Sequence, residues 1–351
     1  MDLSLRSSSR RAWARRSLRT RSLKFWPVAR LKYFENVGES LVDIISDPRG
    51  SAGLQAHPGG SPLNVAVGAA RLDLGTNLVT HYGVDPHGLM LEEHLQANGV
   101  RVINGGTTPT SSALATLGSD GAAEYAFSIT WAIDGASLPA LAAVRSSTHV
   151  HTGSIATVLP PGEQATLVLV QAAREHATIS YDPNCRPAIS PNAAAARRQA
   201  ELFVAASDVV KASDEDLLWL YPDRTAEESL QAWLELGPAV VALTRGASGP
   251  VILSGKGRVE MAAEPVTVAD TVGAGDSFMA GLISGLAQLE ALGGQGRQQL
   301  QTLSLDQLHA LASYANRAAA ITCSRKGANP PRLAELGPLS IQTPAPSGRS
   351  A

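Results

Sequence analysis

Apolar and polar positions alternate in two rhythms through most of the second half of this chain. Short β-branched runs at 148–152, 177–181, 208–211, 239–244 and 251–254 read as strands. Between them, 161–176, 191–206 and 226–236 carry the three- and four-residue apolar spacing of helices. Strands that alternate with helices predict right-handed crossovers and an α/β fold, a doubly wound, mostly parallel sheet covered on both faces. In such sheets ligands collect at the carboxyl ends of strands. Polar residues gather at those ends here: Asn184 and Arg186, then Ser213 to Asp216, then Thr244 to Gly246.

Two stretches break the rhythm. Residues 44–58 and 101–131 are alternating or Gly/Ser/Thr-rich, with little helical signal. Asp120-Gly121 is a hairpin dipeptide between runs at 113–117 and 124–129. These segments predict a small β-sheet set into the α/β body, placed to act as a lid over the strand ends. Residues 33–37, Tyr-Phe-Glu-Asn-Val, make a poor buried strand because two polar residues sit inside it.

A third pattern carries the chemistry. Residues 266–269 read as a short strand, and Phe278, Met279, Leu282, Ile283 and Leu286 recur at helical spacing. Between them lies Asp270-Thr271-Val272-Gly273-Ala274-Gly275-Asp276-Ser277, so Gly273 and Gly275 sit at a strand-to-helix turn. Bare backbone N–H groups and the positive end of the helix can hold an anion there. Asp276 beside such a hole fits a base for phosphoryl transfer to a hydroxyl, and equally fits a helix cap. A dinucleotide fingerprint would need Gly or Ala at 278, which is Phe, and a P-loop would need Gly-Lys-Ser/Thr. Both are excluded.

The 351 residues are 44% hydrophobic, enough for one large domain with a full core. Two cysteines, Cys185 and Cys323, exclude a disulfide scaffold and fit a reducing cytoplasm. No apolar run approaches the ~20 residues of a membrane span. The net charge of −2 hides an uneven split: 1–32 hold ten basic side chains against Asp2, leaving −11 on the remainder. That Arg- and Ser-rich head lacks the apolar core of a secretory signal. A transit peptide, a nucleic-acid-binding arm, or translated sequence upstream of the true start would each look this way. The polar residues at 33–37 favour the last. From 339 the Pro- and Ser-bearing tail is expected to be disordered, leaving 33–338 as the folded domain with its lid at 44–58 and 101–131.

Five motifs in order then carry a resemblance. They are Gly38-Glu39-Ser40-Leu41-Val42-Asp43, His57-Pro58-Gly59-Gly60-Ser61-Pro62-Leu63-Asn64, Gly83-Val84-Asp85-Pro86-His87-Gly88, the 270–278 turn, and Lys326-Gly327-Ala328-Asn329-Pro330-Pro331. Together they resemble the ribokinase/PfkB family of carbohydrate kinases, over roughly 37–336. With Asp182-Pro183-Asn184-Cys185-Arg186-Pro187, the chain looks most like the bacterial fructokinases. The resemblance implies a ribokinase-like fold and ATP-dependent phosphorylation of a sugar's primary hydroxyl, most simply D-fructose to D-fructose 6-phosphate. Ribose, 2-keto-3-deoxygluconate and a nucleoside stay open. In another class, so does a non-catalytic sugar-sensing or nucleic-acid-associated protein on the same fold. The intact Gly273, Gly275 and Asp276 argue against that second class.

The resemblance also implies roles. Asp276 is the base, and Gly273, Ala274 and Gly275 form the anion hole. Asp43, Gly59, Gly60 and Asn64 meet the sugar, whose hydroxyls need fixed donors and acceptors. Asn184, Thr244, Gly246, Gly249, Gly273 and Gly275 surround the phosphates of ATP, with Asn316 near the adenine. Where the family's metal element ends in Glu, this chain has Ser213-Asp214-Glu215-Asp216. A water-mediated Mg²⁺ contact therefore falls to Asp216 or, since Asp is one methylene shorter, to Glu215. Asp270 is the candidate for a monovalent cation such as K⁺. Asp85 reads as a helix cap, and His151 and Cys185 as packing. Trp131 reads as packing too, with contact to a sugar as its alternative because it stands on the lid-like segment. Partners are then the sugar and ATP, with no membrane and no nucleic acid, and a homodimer through lid edges is expected.

Overall fold

The computed structural model describes residues 33–46, 54–117, 123–135 and 137–341. The basic head, the Asp120-Gly121 turn and the tail beyond 341 lie outside the described residues.

Among the described residues, thirteen strands form two sheets. In chain order they are β1 Tyr33–Val37, β2 Leu41–Ser46, β3 Leu54–Gly59, β4 Gly75–Thr80, β5 Arg101–Asn104, β6 Ser111–Leu117 and β7 Ala123–Ser128. There follow β8 His149–Gly153, β9 Thr178–Asp182, β10 Val209–Ser213, β11 Val240–Thr244, β12 Val251–Ser254 and β13 Gly257–Glu260. The large sheet has nine strands in the order β13-β12-β11-β10-β9-β8-β1-β4-β5. Every neighbouring pair is parallel except β11–β12 and β12–β13. The second sheet, β3-β2-β6-β7, has four strands. The fold is thus a ribokinase-like α/β sheet flanked by helices, with a smaller separate sheet.

Strand and helix positions follow the apolar rhythm closely from 148 onward, while three local expectations are corrected and a fourth is narrowed. First, Tyr33–Val37 is a central strand of the large sheet, with Glu35 and Asn36 fully buried. One polar atom of each finds a partner across the sheet: the Asn77 amide donates to Glu35 Oε2 at 3.0 Å, and Asn36 Nδ2 donates to the Asn77 carbonyl at 3.4 Å, while Glu35 Oε1 and Asn36 Oδ1 make no hydrogen bond among the described residues. Second, β5, at 101–104, extends the large sheet beside β4 and is no part of the small one.

Third, residues 266–269 form no strand. The Ala269 and Asp270 N–H groups donate to the carbonyl of Cys323 (2.8 and 3.2 Å), so the segment is tied to a helix C-terminus. The sheet edge is taken instead by β13, whose short run Gly-Arg-Val-Glu gives little apolar signal. Fourth, Trp131 is completely buried in the core and donates its Nε1–H to Thr166 Oγ1 at 3.0 Å, which favours its packing reading over the sugar-contact alternative.

Two helices bring the glycine motifs of the sequence together. The Ser61–Arg71 helix follows β3, and the Ala274–Gln288 helix follows the glycine turn. They pack so closely that a Cβ on Gly68 would lie 2.7 Å from the Ala280 methyl. Val65, Ala69, Met279 and Ile283 fill that contact against Phe34 of β1. Burial of this kind contributes roughly 25 cal/mol per Å² of apolar surface, and it fixes both helix starts beside the ends of β1 and β9. No helix among the described residues is long and apolar enough to cross a membrane.

Candidate active site

The glycine turn ends with Gly273 in the left-handed conformation (φ 74°), the N-cap of the Ala274–Gln288 helix. Beyond strain, a side chain there would meet Ala328 at 2.7 Å. Asp270 fastens the same region: its Oδ1 accepts the Val272 N–H at 3.1 Å and its Oδ2 the Gly327 N–H at 2.8 Å. Those backbone donors hold its carboxyl below the usual aspartate range. The Ala274 N–H leans on the Thr271 carbonyl at 3.2 Å. Gly275 and Asp276 follow in the first turn, where N–H groups precede any intrahelical acceptor.

Asp276 is 7% exposed and is gripped by the neighbouring helix. Ser61 Oγ–H donates to its Oδ1 at 2.6 Å, and Asn64 Nδ2 donates to its Oδ2 at 2.8 Å. Charged acceptors of this kind make hydrogen bonds about twice as strong as neutral ones, so the carboxylate is held in one orientation. Its N-terminal position alone would have suited a cap, yet its oxygens serve the Ser61–Arg71 helix and open on a cavity.

That cavity is ≈ 320 Å³, and Asp43, Asn64, Asn184, Lys211, Gly273 and Asp276 are among the residues that line it. Asp43 projects from β2, and Gly59 of β3 gives it room: a Cβ at Gly59 would lie 2.2 Å from Asp43 Oδ2. Gly60, at φ 106°, turns the chain into the helix where a side chain would strike the Glu39 carbonyl at 2.6 Å. Burial raises the Asp43 carboxyl above its ordinary value, with Arg186 and His57 pulling it back down. Asn184 takes a left-handed conformation (φ 38°) with its N–H on Asp182 Oδ1 at 3.2 Å and its Oδ1 accepting from Arg186 at 2.6 Å.

Other expected residues stand apart from this cavity. Asp216 closes a capping box with Ser213, and its oxygens accept N–H bonds from Ser213 (2.9 Å) and Cys185 (2.6 Å). Glu215 is exposed on the same first turn. Thr244 ends β11, Gly246 sits at φ 49° with open space around it, and Gly249 closes a turn against 261–262. Asn316 donates its amide to the Ala262 carbonyl at 2.9 Å, joining a helix to that same segment. His151 lies in a buried row with Ser180 and His149. Asp85 caps its helix through the Gly88 N–H at 2.8 Å.

No group of three or more metal-ligating acids, histidines or cysteines occurs among the described residues. Mg²⁺ commonly keeps several waters and needs only one or two carboxylates with substrate phosphates. The exposed Glu215 and the already satisfied Asp216 fit a water-mediated hold and nothing tighter.

Among the polar residues lining the cavity, Glu39, Ser61 and Lys211 were given no role by the sequence reading, and Arg186 was noted only as a polar residue at a strand end. Ser61 stood inside the glycine motif, and its proximity to Asp276, 215 positions away, is a tertiary fact. Lys211 did leave a signal, a lone charge at the end of the buried run Val209-Val210.

A model of the pfkB family of carbohydrate kinases matches residues 32–335. The chain is 33% identical over 258 residues to a fructokinase of Rhizobium leguminosarum bv. trifolii, covering 71% of this chain and 78% of that protein. It is 30% identical over 308 residues to fructokinase-2 of Solanum habrochaites, covering 84% and 90%. Among solved structures, a fructokinase from Vibrio cholerae O395 in a fructose-, ADP- and calcium-bound form superposes with a TM-score of 0.71 at 26% identity. That match covers 88% of this chain and 98% of that one. An ATP complex of an uncharacterized sugar kinase from Pyrococcus horikoshii gives 0.70 at 26% identity, over 86% and 96%.

Proposed function

The chain belongs to the pfkB family of carbohydrate kinases, and from that premise we propose that it transfers the γ-phosphoryl group of ATP to D-fructose, giving D-fructose 6-phosphate and ADP. One observation carries the reading: Asp276 is a buried carboxylate, held by Ser61 and Asn64, at a helix start that opens on the cavity facing Asp43. Fructose is supported by the names of the relatives and by the fructose-bound Vibrio cholerae enzyme.

The primary hydroxyl oxygen attacks the γ-phosphorus and forms the new O–P bond. The bond from that phosphorus to the bridging oxygen breaks, ADP leaves with the electron pair, and the hydroxyl proton passes to Asp276. Ser61 and Asn64 orient the accepting oxygens. N–H groups of Gly275 and Asp276 stabilise charge on the transferring group, while the expected third donor, Ala274, gives its N–H to the Thr271 carbonyl; removing one such donor typically lowers turnover by ~10²–10³. Asp43 accepts from a vicinal hydroxyl pair, and the Gly59-Gly60 pair lets the backbone approach the ring.

Asn184, Thr244, Gly246, Gly249 and Asn316 are assigned to the nucleotide side. Mg²⁺, held through water by Glu215 or Asp216, would neutralise charge across the ATP phosphate oxygens. Asp270 is assigned to a monovalent cation, to which each of its oxygens can still offer a lone pair. The β3-β2-β6-β7 sheet is the lid that excludes water, and its edges β3 and β7 are the surfaces for a homodimer. ADP release measured with fructose, glucose, ribose, 2-keto-3-deoxygluconate and adenosine tests the reading. Fructose is expected to give the highest kcat/KM. A better rate with another member reassigns the substrate, and no release with any of them overturns the kinase assignment for this site.

A further inference from the structure

Lys211 and Asp182 form an ion pair inside the large sheet. Lys211 Nζ lies 2.7 Å from Asp182 Oδ2, with side-chain exposures of 4% and 0%. Asp182 is the last residue of β9, and Lys211 stands in the middle of the adjacent strand β10. A pair this buried is weak evidence of a stabilising role, because desolvating two charges offsets most of their attraction. Its place is more informative. Lys211 lines the same cavity as Gly273, Gly275 and Asp276. A Cβ on Gly275 would lie 2.9 Å from Lys211 Nζ, so the ammonium rests against the first turn of the Ala274–Gln288 helix, in space that only glycine leaves open.

Among the described residues Asp182 is the ion-pair partner of Lys211, and its Oδ2 meets the ammonium as a charge contact without hydrogen-bond geometry. Burial pulls the ammonium toward neutrality, but Asp182, with Asp216 and Asp276 behind it, outweighs that and holds it above the ordinary lysine range. The carboxylates of Asp182, Asp216 and Asp276 would by themselves repel an incoming polyphosphate. A fixed cation among them changes the sign of the field where the anion must pass.

On the reading that this chain transfers phosphoryl groups to sugars, we propose that Lys211 is a catalytic residue whose ammonium contacts the transferring phosphoryl group beside the Gly275 backbone, with Asp182 as its positioning residue. Lys211 stays protonated throughout and exchanges no proton; it offsets charge that builds on the phosphoryl oxygens.

The test compares the wild-type chain with Lys211→Met, with the double variant Lys211→Met/Asp182→Asn, which leaves no orphan charge, and with Lys211→Arg. The double variant should lower kcat by ~10²–10³, while fructose and ADP affinities stay within about threefold. Binding of ADP with aluminium fluoride and fructose, which mimics the transferring group, should weaken by the same factor as kcat. Wild-type kcat in the double variant overturns the proposal. So does a loss shared equally by kcat, ADP and fructose binding, which marks a packing role. If the double variant does not fold, Lys211→Arg must still lose at least about tenfold, because its guanidinium displaces the donor from Gly275; wild-type kcat there also overturns it. Transfer by the wild-type chain to no sugar at all would refute the kinase reading itself, whereas transfer that survives the loss of Lys211 refutes only its role.

Discussion

Replacing Gly59 with alanine tests whether the Asp43 carboxylate has to stand where it does. The new methyl would lie 2.2 Å from Asp43 Oδ2 and 3.0 Å from its Cγ. The backbone of Gly59 is outside the left-handed region, so alanine brings no local strain, and the carboxylate is the group that yields. A displaced Asp43 loses its charge-assisted hydrogen bonds to the sugar, each worth about 1.5–3 kcal/mol. At about 1.4 kcal/mol per factor of ten, losing one raises the KM for fructose by roughly 10- to 150-fold. Because the bond exists before and during transfer, kcat should change far less. Coupled detection of ADP gives both constants, and a thermal melt checks the fold. Gly60→Ala is the contrast: at φ 106° and 2.6 Å from the Glu39 carbonyl, its effect should fall on stability, by about 1–3 kcal/mol. An unchanged fructose KM in folded Gly59→Ala would refute the sugar-binding role of Asp43.

Two further outcomes follow from the same reasoning. Burial raises Glu35 and Glu39 from an ordinary 4.5 to about 7. Between those values the folded chain keeps protons that the unfolded chain has released, so stability falls as pH rises, by up to about 1.4 kcal/mol per pH unit for each carboxyl. Glu35→Gln keeps an acceptor for Asn77; its Tm should match wild type at pH 5 and exceed it at pH 8, and an equal offset at both would contradict this. Asp270→Ala releases the Val272 and Gly327 N–H groups that hold the glycine turn, so it should lower stability by about 1–2 kcal/mol and raise the KM for ATP. An unaltered melt would show that the turn holds itself.

Where the sequence could be read, a short-range physical signal was present. The parallel strands from 148 onward are bounded by turns and separated by helices, and each lies within a residue or two of its apolar run. The glycine turn was legible as two glycines ahead of an apolar helix, and Asp43 and Asn64 stood out inside their motifs; all three line the cavity. What stayed hidden depends on distant pairing. Glu35 and Asn36 looked wrong for a buried strand because Asn77, their partner, lies some forty residues on. Residues 266–269 looked right for a strand, yet the Cys323 carbonyl takes two of the N–H groups that end the segment. Likewise Asn64 was read as a sugar contact, and its observed hydrogen bond runs to Asp276, 212 positions away.

The central claim is that Asp276 accepts the hydroxyl proton during transfer, and Asp276→Asn tests it most directly. Asparagine fills the same volume and can still accept from Ser61, and the Asn64 amide can flip to meet its new N–H₂ group. The fold and the sugar site should therefore persist. Turnover with saturating fructose and ATP is predicted to fall by about 10²–10⁴, with fructose affinity measured by calorimetry within about threefold of wild type. Wild-type turnover in that variant would contradict the account.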